Sequence, residues 1–222
     1  MLIIAEGGLN HNGDIELAKK LVNVAKWSGA NAVKFQTFAE EGHKYPNITL
    51  DETIEVKEYC DKIGIMFLSS PHDYKAIDFL DDLVPIYKIA SPFIVDEKFI
   101  RGIASKKKPV LMSTGSIIHK NGMATIKEIE YALSLLKGLD ITLLHCISHY
   151  PCSDRQIHRI VDLRNRFELP VGISDHTKEM KLPRLPVIEK HIMLENVKCV
   201  DEDVSLTPSQ FKQMVEYLRR CE

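Results

Sequence analysis

Eight short apolar runs, each separated from the next by an amphipathic or loop segment, constrain the fold of this chain most strongly. Each run is too short for a helix and is rich in Ile, Val, Leu or Phe, as strands buried on both faces are. The repeated alternation predicts parallel strands joined by right-handed crossovers. Eight strands favour an α/β protein closed into a (β/α)8 TIM barrel, with a doubly wound open sheet as the alternative. The runs lie at 2–5, 32–35, 65–68, 86–89, 109–112, 141–145, 171–173 and 187–190.

One crossover of this pattern is defective. Between the last two runs, Pro183 and Pro186 prevent a normal helix. We therefore expect a truncated seventh helix, apolar sides of strands 7 and 8 exposed beside it, and a homo-oligomer whose interface includes residues near 178–187. The other helices are predicted between Ile15 and Gly29 and near 51–63, 72–82, 96–106, 121–137, 155–167 and 207–220.

The bulk properties fit one barrel domain over residues 1–222, since no Pro-, Gly- or Ser-rich linker divides the chain. A formal net charge of −2 gives no case for a nucleic acid or an anionic membrane as partner. No apolar run approaches the roughly 18 residues of a membrane span, and no signal peptide is visible. An odd number of cysteines without C-x-x-C spacing favours reduced thiols in a cytoplasm. These are Cys60, Cys146, Cys152, Cys199 and Cys221.

Polar side chains stand at the C-terminal ends of several predicted strands. Glu6 ends the first strand. Burying a carboxylate there costs free energy unless the group is solvated, is paired with a cation or has a functional role. Because parallel strands present these ends to one mouth, Lys34 and Lys88 should meet there and suit a phosphate or carboxylate ligand. The alternative is that each lysine simply reaches solvent. The serines expected at the same mouth are Ser70, Ser91, Ser113 and Ser174.

Two histidines follow adjacent strands near the C-terminus. His176 and His191 should approach the same point and, with water and substrate oxygens, could hold a divalent metal that acts as a Lewis acid. Their spacing is not a metal motif, so ordinary hydrogen-bonded histidines are the alternative. His145 lies within an apolar strand, where a hydrogen-bonded core histidine is expected at least as often as a ligand.

Short polar motifs accompany most of the predicted strands. They are Ile3-Ile4-Ala5-Glu6 with Asn10-His11-Asn12-Gly13, Ala32-Val33-Lys34-Phe35-Gln36-Thr37, Phe67-Leu68-Ser69-Ser70-Pro71, Lys88-Ile89-Ala90-Ser91, Ser113-Thr114-Gly115, Leu144-His145-Cys146, Tyr150-Pro151, Ser174-Asp175-His176-Thr177 and Ile188-Glu189-Lys190-His191. In this order they resemble the sialic acid synthase family, the N-acetylneuraminate synthases and their relatives. The resemblance implies a metal-dependent transferase that condenses phosphoenolpyruvate with an N-acetylmannosamine-like aldose to give a nonulosonic acid and phosphate. The implied metal is Mn2+, with Mg2+ or Co2+ as alternatives.

The resemblance also assigns roles residue by residue. Glu6 matches the essential acid/base glutamate, and His176 and His191 match the metal ligands. Ser148 stands where the family usually has Asn beside phosphoenolpyruvate. The positions that hold phosphoenolpyruvate are matched by Lys34, Ser70, Lys88, Ser91, Ser113 and Ser174. The sugar-contacting positions are matched by Gln36, Tyr150 and Asp201.

Besides Ser148 and the truncated seventh helix, the sequence departs from the family pattern in three more places. Ser91-Pro92-Phe93 replaces a Ser-Gly-acidic run, and the loop from about 38 to 50 is short. The C-terminal antifreeze-like domain of the family is missing, so a separate antifreeze-like chain is an expected partner. Two other functions stay open: a Schiff-base aldolase with Lys34 or Lys88 as nucleophile, and a non-catalytic barrel that binds a sugar acid.

Overall fold

Eight parallel strands form the framework of the structure, a computed structural model that describes residues 1–220, so that Cys221 lies outside the described residues. The strands are β1 (Leu2–Gly8), β2 (Ala32–Thr37), β3 (Met66–Pro71), β4 (Tyr87–Ile89), β5 (Val110–Ser113), β6 (Ile141–Cys146), β7 (Val171–Asp175) and β8 (Val187–His191). They pair in the order β3-β2-β1-β8-β7-β6-β5-β4, and β3 lies beside β4 at the remaining seam. Within the described residues no ladder joins those two strands. The sheet is a nearly closed barrel, which confirms the predicted (β/α)8 fold.

Helices follow every strand except β7. They are α1 (Ile15–Ser28), α2 (Leu50–Ile63), α3 (Tyr74–Phe79), α4 (Glu97–Ser105), α5 (Ile126–Leu135), α6 (His158–Phe167) and α7 (Pro208–Arg220), with one 3-10 turn at Ser91–Phe93. None of the helices in residues 1–220 is long and apolar enough to cross a membrane.

Capping side chains fix where the helices begin and end. Asp14 accepts hydrogen bonds from two amides of the first turn of α1, and Gly29 ends that helix with a φ of 83°. Helix α5 begins later than its predicted start near 121, because Thr125 and Glu128 form a capping box that fixes its first turn.

The strands begin within one residue of their predicted starts, but most of them end one to three residues later. Strand β1 runs to Gly8 rather than to residue 5, and β7 runs to Asp175 rather than to residue 173. The apolar pattern stops where polar side chains begin, although the backbone pairing continues. Glu6, Lys34 and His191 at the mouth are therefore held by strands and not by loops.

Two apolar layers separate the barrel interior from its surroundings. A large cluster fills the space between the strands and the helices. A small cluster fills the barrel interior, and the side chain two residues further along each of its strands points into the same interior. On three of these strands the next inward-facing residue is charged: Glu6 follows Ile4, Lys34 follows Ala32, and Glu189 follows Val187. The small cluster consists of Ile4, Ala32, Leu68, Leu111, Leu144 and Val187. It forms an apolar floor beneath a polar layer at the C-terminal mouth.

The connection from β7 to β8 confirms the truncated seventh helix. Residues 176–186 contain no helix, as Pro183 and Pro186 predict. The expected exposure of the strands beside it is wrong, however. Leu182 and Leu185 of this connection are buried in the outer cluster, where they cover the strands in place of a helix. The predicted oligomer loses the apolar surface that motivated it, and the oligomeric state stays a prediction.

A buried ion pair lies at the start of the connection from β7 to β8. Lys190 faces outward from β8 and is completely buried. Its Nζ lies 2.8 Å from Asp175 Oδ2 and also donates to the carbonyl and the hydroxyl of Thr177. These bonds tie β8 to the residues on either side of His176.

Candidate active site

A cavity of about 130 Å3 opens at the C-terminal mouth of the barrel. Every residue that the sequence predicts for the site lines this cavity except Asp201, which stands beside it against His191. The structure thus brings the predicted residues together, while their roles remain predictions. The predicted residues that line the cavity are Glu6, Lys34, Gln36, Ser70, Lys88, Ser91, Ser113, Ser148, Tyr150, Ser174, His176 and His191.

Two lysines and two carboxylates form a buried ionic cluster on the cavity floor. Lys34 Nζ lies 2.7 Å from Glu6 Oε2 and 3.6 Å from Glu189 Oε2. Lys88 Nζ lies 3.3 Å from Glu189 Oε1, and the Ser174 hydroxyl donates to that same oxygen at 2.7 Å. All five side chains are buried. The strand register explains the cluster, because Glu6 pairs with Lys34 across β1 and β2, and Glu189 pairs with Ser174 across β7 and β8.

The two carboxylates of this cluster differ in proton affinity. Burial raises the pKa of Glu189, but the charges of Lys34 and Lys88 outweigh it and lower the pKa to about 2. Burial also raises the pKa of Glu6, and there it outweighs the charge of Lys34. The cluster thus contains one carboxylate that is firmly ionised and one whose proton affinity is increased, which is the pattern of a fixed charge beside an acid/base group.

Burial opposes the charge of Lys34, yet the nearby carboxylates raise its pKa above the usual value. Lys34 is therefore an ammonium group at neutral pH. An ammonium can neutralise an anionic ligand, but it is not a nucleophile until it loses its proton.

His176 and His191 face each other in the same cavity, with ring centroids 5.3 Å apart. His176 Nδ1 lies 2.8 Å from the carbonyl oxygen of Ile147, which can only accept, so Nδ1 carries a proton there. In the neutral ring the lone pair is then on Nε2, which accepts a hydrogen bond from the Tyr150 hydroxyl at 2.8 Å. The Tyr150 ring stacks on His176 at 4.0 Å.

These histidines fit a metal only as a pair of ligands. His191 Nδ1 is buried without a hydrogen bond in the described residues and lies 3.3 Å from Asp201 Oδ2. The Nδ1–H of His176 is fixed by a backbone carbonyl, which is the usual orientation of a metal-binding histidine. Within residues 1–220 no group of three or more His, Cys, Asp or Glu side chains is arranged to hold a metal ion. Water and substrate oxygens would have to supply the remaining ligands.

Close backbone approaches shape the cavity wall at two glycines. Gly8 adopts a φ of +50°, and a Cβ on it would lie 3.2 Å from Asp201 and 3.3 Å from Glu6. A Cβ on Gly115 would lie 2.4 Å from Ser91 Oγ and 2.5 Å from Ser148 Oγ. Glycine is therefore required at Gly115 for the two predicted serines to stand where they do.

The structure adds three titratable side chains that sequence reasoning did not assign to the site. Glu189, His72 and Cys146 all line the cavity. Glu189 could have been found, because it precedes His191 by two residues and period-two alternation turns both toward the interior. For His145 the expectation of a hydrogen-bonded core histidine, rather than a ligand, agrees with the structure. Its Nε2 lies 2.6 Å from the carbonyl oxygen of Arg155, outside the cavity.

Comparison with known proteins places this architecture in a family. The NeuB family model matches residues 42–222. An uncharacterized protein of Methanocaldococcus jannaschii is 41% identical, with 99% of this chain and 70% of that protein covered. The N,N'-diacetyllegionaminic acid synthase of Campylobacter jejuni is 34% identical, with 100% of this chain and 76% of that enzyme covered.

A solved structure supports the same assignment. The N-acetylneuraminic acid (sialic acid) synthetase of Leptospira borgpetersenii, crystallised with citrate, superimposes with a TM-score of 0.90 at 30% identity. The match covers 99% of this chain and 82% of that one. The resemblance seen in the motifs is thereby confirmed, and the chain belongs to the NeuB family.

Proposed function

We propose that the chain is a sialic-acid-type synthase. It condenses phosphoenolpyruvate with an N-acetylmannosamine-like aldose and water to give a nonulosonic acid and phosphate. The observation that carries the proposal is the buried layer at the mouth, where two lysines, two carboxylates and two histidines surround one cavity. The synthase relatives support the same chemistry.

The lysines and serines are proposed to hold phosphoenolpyruvate. Lys34 and Lys88 supply positive charge in a site with little water, where charge acts strongly on an anionic substrate. The serine hydroxyls supply directed hydrogen-bond donors around the two lysines. The missing Cβ of Gly115 leaves room for the hydroxyls of Ser91 and Ser148. The full set is Lys34, Ser70, Lys88, Ser91, Ser113, Ser148 and Ser174.

Glu6 is proposed as the acid/base group. In the condensation, C3 of the enol phosphate attacks the aldehyde carbon, water adds at C2, and phosphate leaves. Both the aldehyde oxygen and the added water exchange a proton. Burial raises the pKa of Glu6 toward the range in which a carboxyl group can both hold and release a proton near neutral pH. Lys34, 2.7 Å away, stabilises the carboxylate after proton release.

His176 and His191 are proposed to hold a divalent metal, Mn2+ in the first place. The bound ion supplies Lewis-acid polarisation of the open-chain aldehyde. Tyr150 and Asp201 contact these two rings, and with Gln36 they are proposed to orient the sugar.

The aldolase alternative has less support. Schiff-base formation needs a neutral amine, whereas the carboxylates beside Lys34 raise its pKa. Lys88 Nζ lies 3.3 Å from Glu189 Oε1, so its ammonium form is paired with a carboxylate in the structure. A purely binding role explains neither the elevated pKa of Glu6 nor its burial next to Lys34.

The setting of the enzyme belongs to the same proposal. Cys60, Cys146, Cys152 and Cys199 are free thiols, which suits a cytoplasmic enzyme. A separate antifreeze-like chain is proposed as a partner that covers the mouth. No nucleic acid or membrane is part of the proposal.

Phosphate release from phosphoenolpyruvate tests the function. The assay uses a panel of N-acetylated aminosugars, with and without Mn2+, and omits the sugar as a blank. We expect release that depends on one sugar and on metal, and that is lost in Lys34→Met. Lys20→Met, which removes an exposed lysine on α1, is the matched control. Covalent trapping with pyruvate and borohydride, together with insensitivity to a chelator, would favour the aldolase instead.

A further inference from the structure

His72 is a cavity residue to which neither the motifs nor the proposed function assigns a role. It directly follows β3, two residues beyond Ser70, and both side chains line the cavity. The His72 amide donates to the carbonyl of Thr37 at 2.9 Å, which extends the pairing of β3 with β2 by one residue. The backbone of His72 is therefore as firmly placed as the strand itself.

Aromatic neighbours hold the His72 ring. Its centroid lies 4.9 Å from that of Phe38 and 5.6 Å from that of Phe93, which meets it at 82°. Phe93 in turn stacks on Phe99 at 4.0 Å. A ring packed on two sides keeps its direction when no ligand is present, and such preorganisation favours binding.

The Nε2 atom of His72 is buried and has no hydrogen-bond partner in the described residues. Buried polar atoms without partners are rare in native structures, and each one calls for an explanation. Because the ring lines the cavity and its packing fixes its direction, a bound substrate is the missing partner that fits best.

The surroundings of His72 indicate the charge of that partner. Lys34 and Lys88 are both close enough to affect its titration: burial first, and then these two ammonium charges, lower the pKa of His72 to about 3. The ring is therefore neutral when the enzyme works and offers a donor without adding charge. Ser70 and Ser91 line the same cavity. Ammonium groups, hydroxyls and a neutral N–H together suit an oxyanion.

We propose that His72 is a further substrate-binding residue, whose Nε2–H donates a hydrogen bond to an oxyanion of phosphoenolpyruvate, either its phosphate or its carboxylate. The inference rests on the proposed function. It assigns the tautomer with the proton on Nε2, since only that tautomer can donate from this atom.

Titration calorimetry with phosphoenolpyruvate tests the inference on the full chain. His72→Phe keeps a ring between Phe38 and Phe93 but removes the donor, and we expect it to weaken binding about 10- to 100-fold. Tenfold corresponds to about 1.4 kcal/mol. His72→Gln places an amide donor near the position of Nε2 and should stay within about threefold of wild type. His43→Phe changes another ring that contacts Phe38 but lies outside the cavity, and should leave binding unchanged.

Further arms of the experiment identify the atom and the group involved. The 15N resonance of His72 Nε2 should shift when phosphoenolpyruvate binds to the wild-type chain, which keeps the test valid if His72→Phe folds poorly. Competition by inorganic phosphate and by pyruvate shows which oxyanion the donor meets, because only one of the two should lose affinity in His72→Phe.

Two results would overturn the inference alone. One is wild-type affinity in His72→Phe, and the other is an equal loss in His72→Gln and His72→Phe together with an unchanged Nε2 resonance. A wild-type chain that binds no phosphoenolpyruvate would overturn the proposed function and this inference together.

Discussion

Lys190→Met is expected to lower the free energy of unfolding by about 3 kcal/mol, because it leaves the carboxylate of Asp175 buried without its cation. Lys190 is fully buried, and its Nζ lies 2.8 Å from Asp175 Oδ2. Breaking a buried pair from one side typically costs about 3–5 kcal/mol. The low end applies here, since Arg155 stands 4.0 Å from the same oxygen and is partly exposed.

The assay is urea unfolding of four chains: wild type, Lys190→Met, Asp175→Asn and the double variant. For a chain of this length, about 3 kcal/mol corresponds to a fall in Tm of about 6–12 °C. The double variant should recover much of the loss, because it removes both charges and keeps similar volume. Lys57→Met, which breaks an exposed pair with Asp61 on α2, is the control and should cost less than about 1 kcal/mol.

A loss below about 1 kcal/mol in Lys190→Met would refute this reasoning. It would mean that water reaches Asp175, or that the segment after β7 rearranges at little cost. A double variant as unstable as Lys190→Met would refute it as well, since the damage would then arise from lost packing rather than from the unpaired carboxylate.

Three further predictions concern the acid/base group, the metal and pH. Glu6→Gln should lower the rate of phosphate release at least about 100-fold while phosphoenolpyruvate still binds; unchanged turnover would contradict its role. His176→Ala and His191→Ala should each abolish Mn2+ binding in calorimetry while the chain stays folded, and metal binding equal to wild type would exclude them as ligands. Burial lowers the pKa of His11 from 6.5 to about 4, so the ring is neutral in the folded chain near neutral pH. Its contribution to the free energy of unfolding is complete above pH 6.5 and is lost as the pH falls toward 4. The linkage amounts to about 3 kcal/mol, and His11→Asn, which keeps an acceptor for the Gly13 amide, should flatten this part of the unfolding curve.

Much of the barrel could be predicted because its determinants are local. The strands are runs of Ile, Val and Leu that are buried on both faces, and they contrast with the amphipathic helices between them. The starts of the strands can therefore be located from the sequence. The strand ends could not be read from the same pattern, because the apolar residues stop before the backbone hydrogen bonding does. The cover of β7 and β8 by Leu182 and Leu185 could not be predicted, because an irregular segment has no periodicity that indicates which side chains turn inward.

The candidate site was predictable to the extent that it depends on strand ends. Glu6, Lys34 and His191 meet because parallel register places them side by side. The ion pair of Lys88 with Glu189 crosses the interior between strands that are not neighbours, so it depends on the closed barrel. The orientation of His72 depends on rings from other elements, and no local pattern encodes it.

The most direct test of the central claim follows the oxygen atoms and the carbon skeleton together. The sugar that supports phosphate release is incubated with phosphoenolpyruvate and Mn2+ in H2 18O, and the products are analysed by mass spectrometry. If the mouth of this barrel joins the two substrates, each phosphate released is accompanied by one nonulosonic acid, and the phosphate carries no 18O because water attacks C2. Pyruvate together with 18O-labelled phosphate, and no condensed acid, would contradict the account.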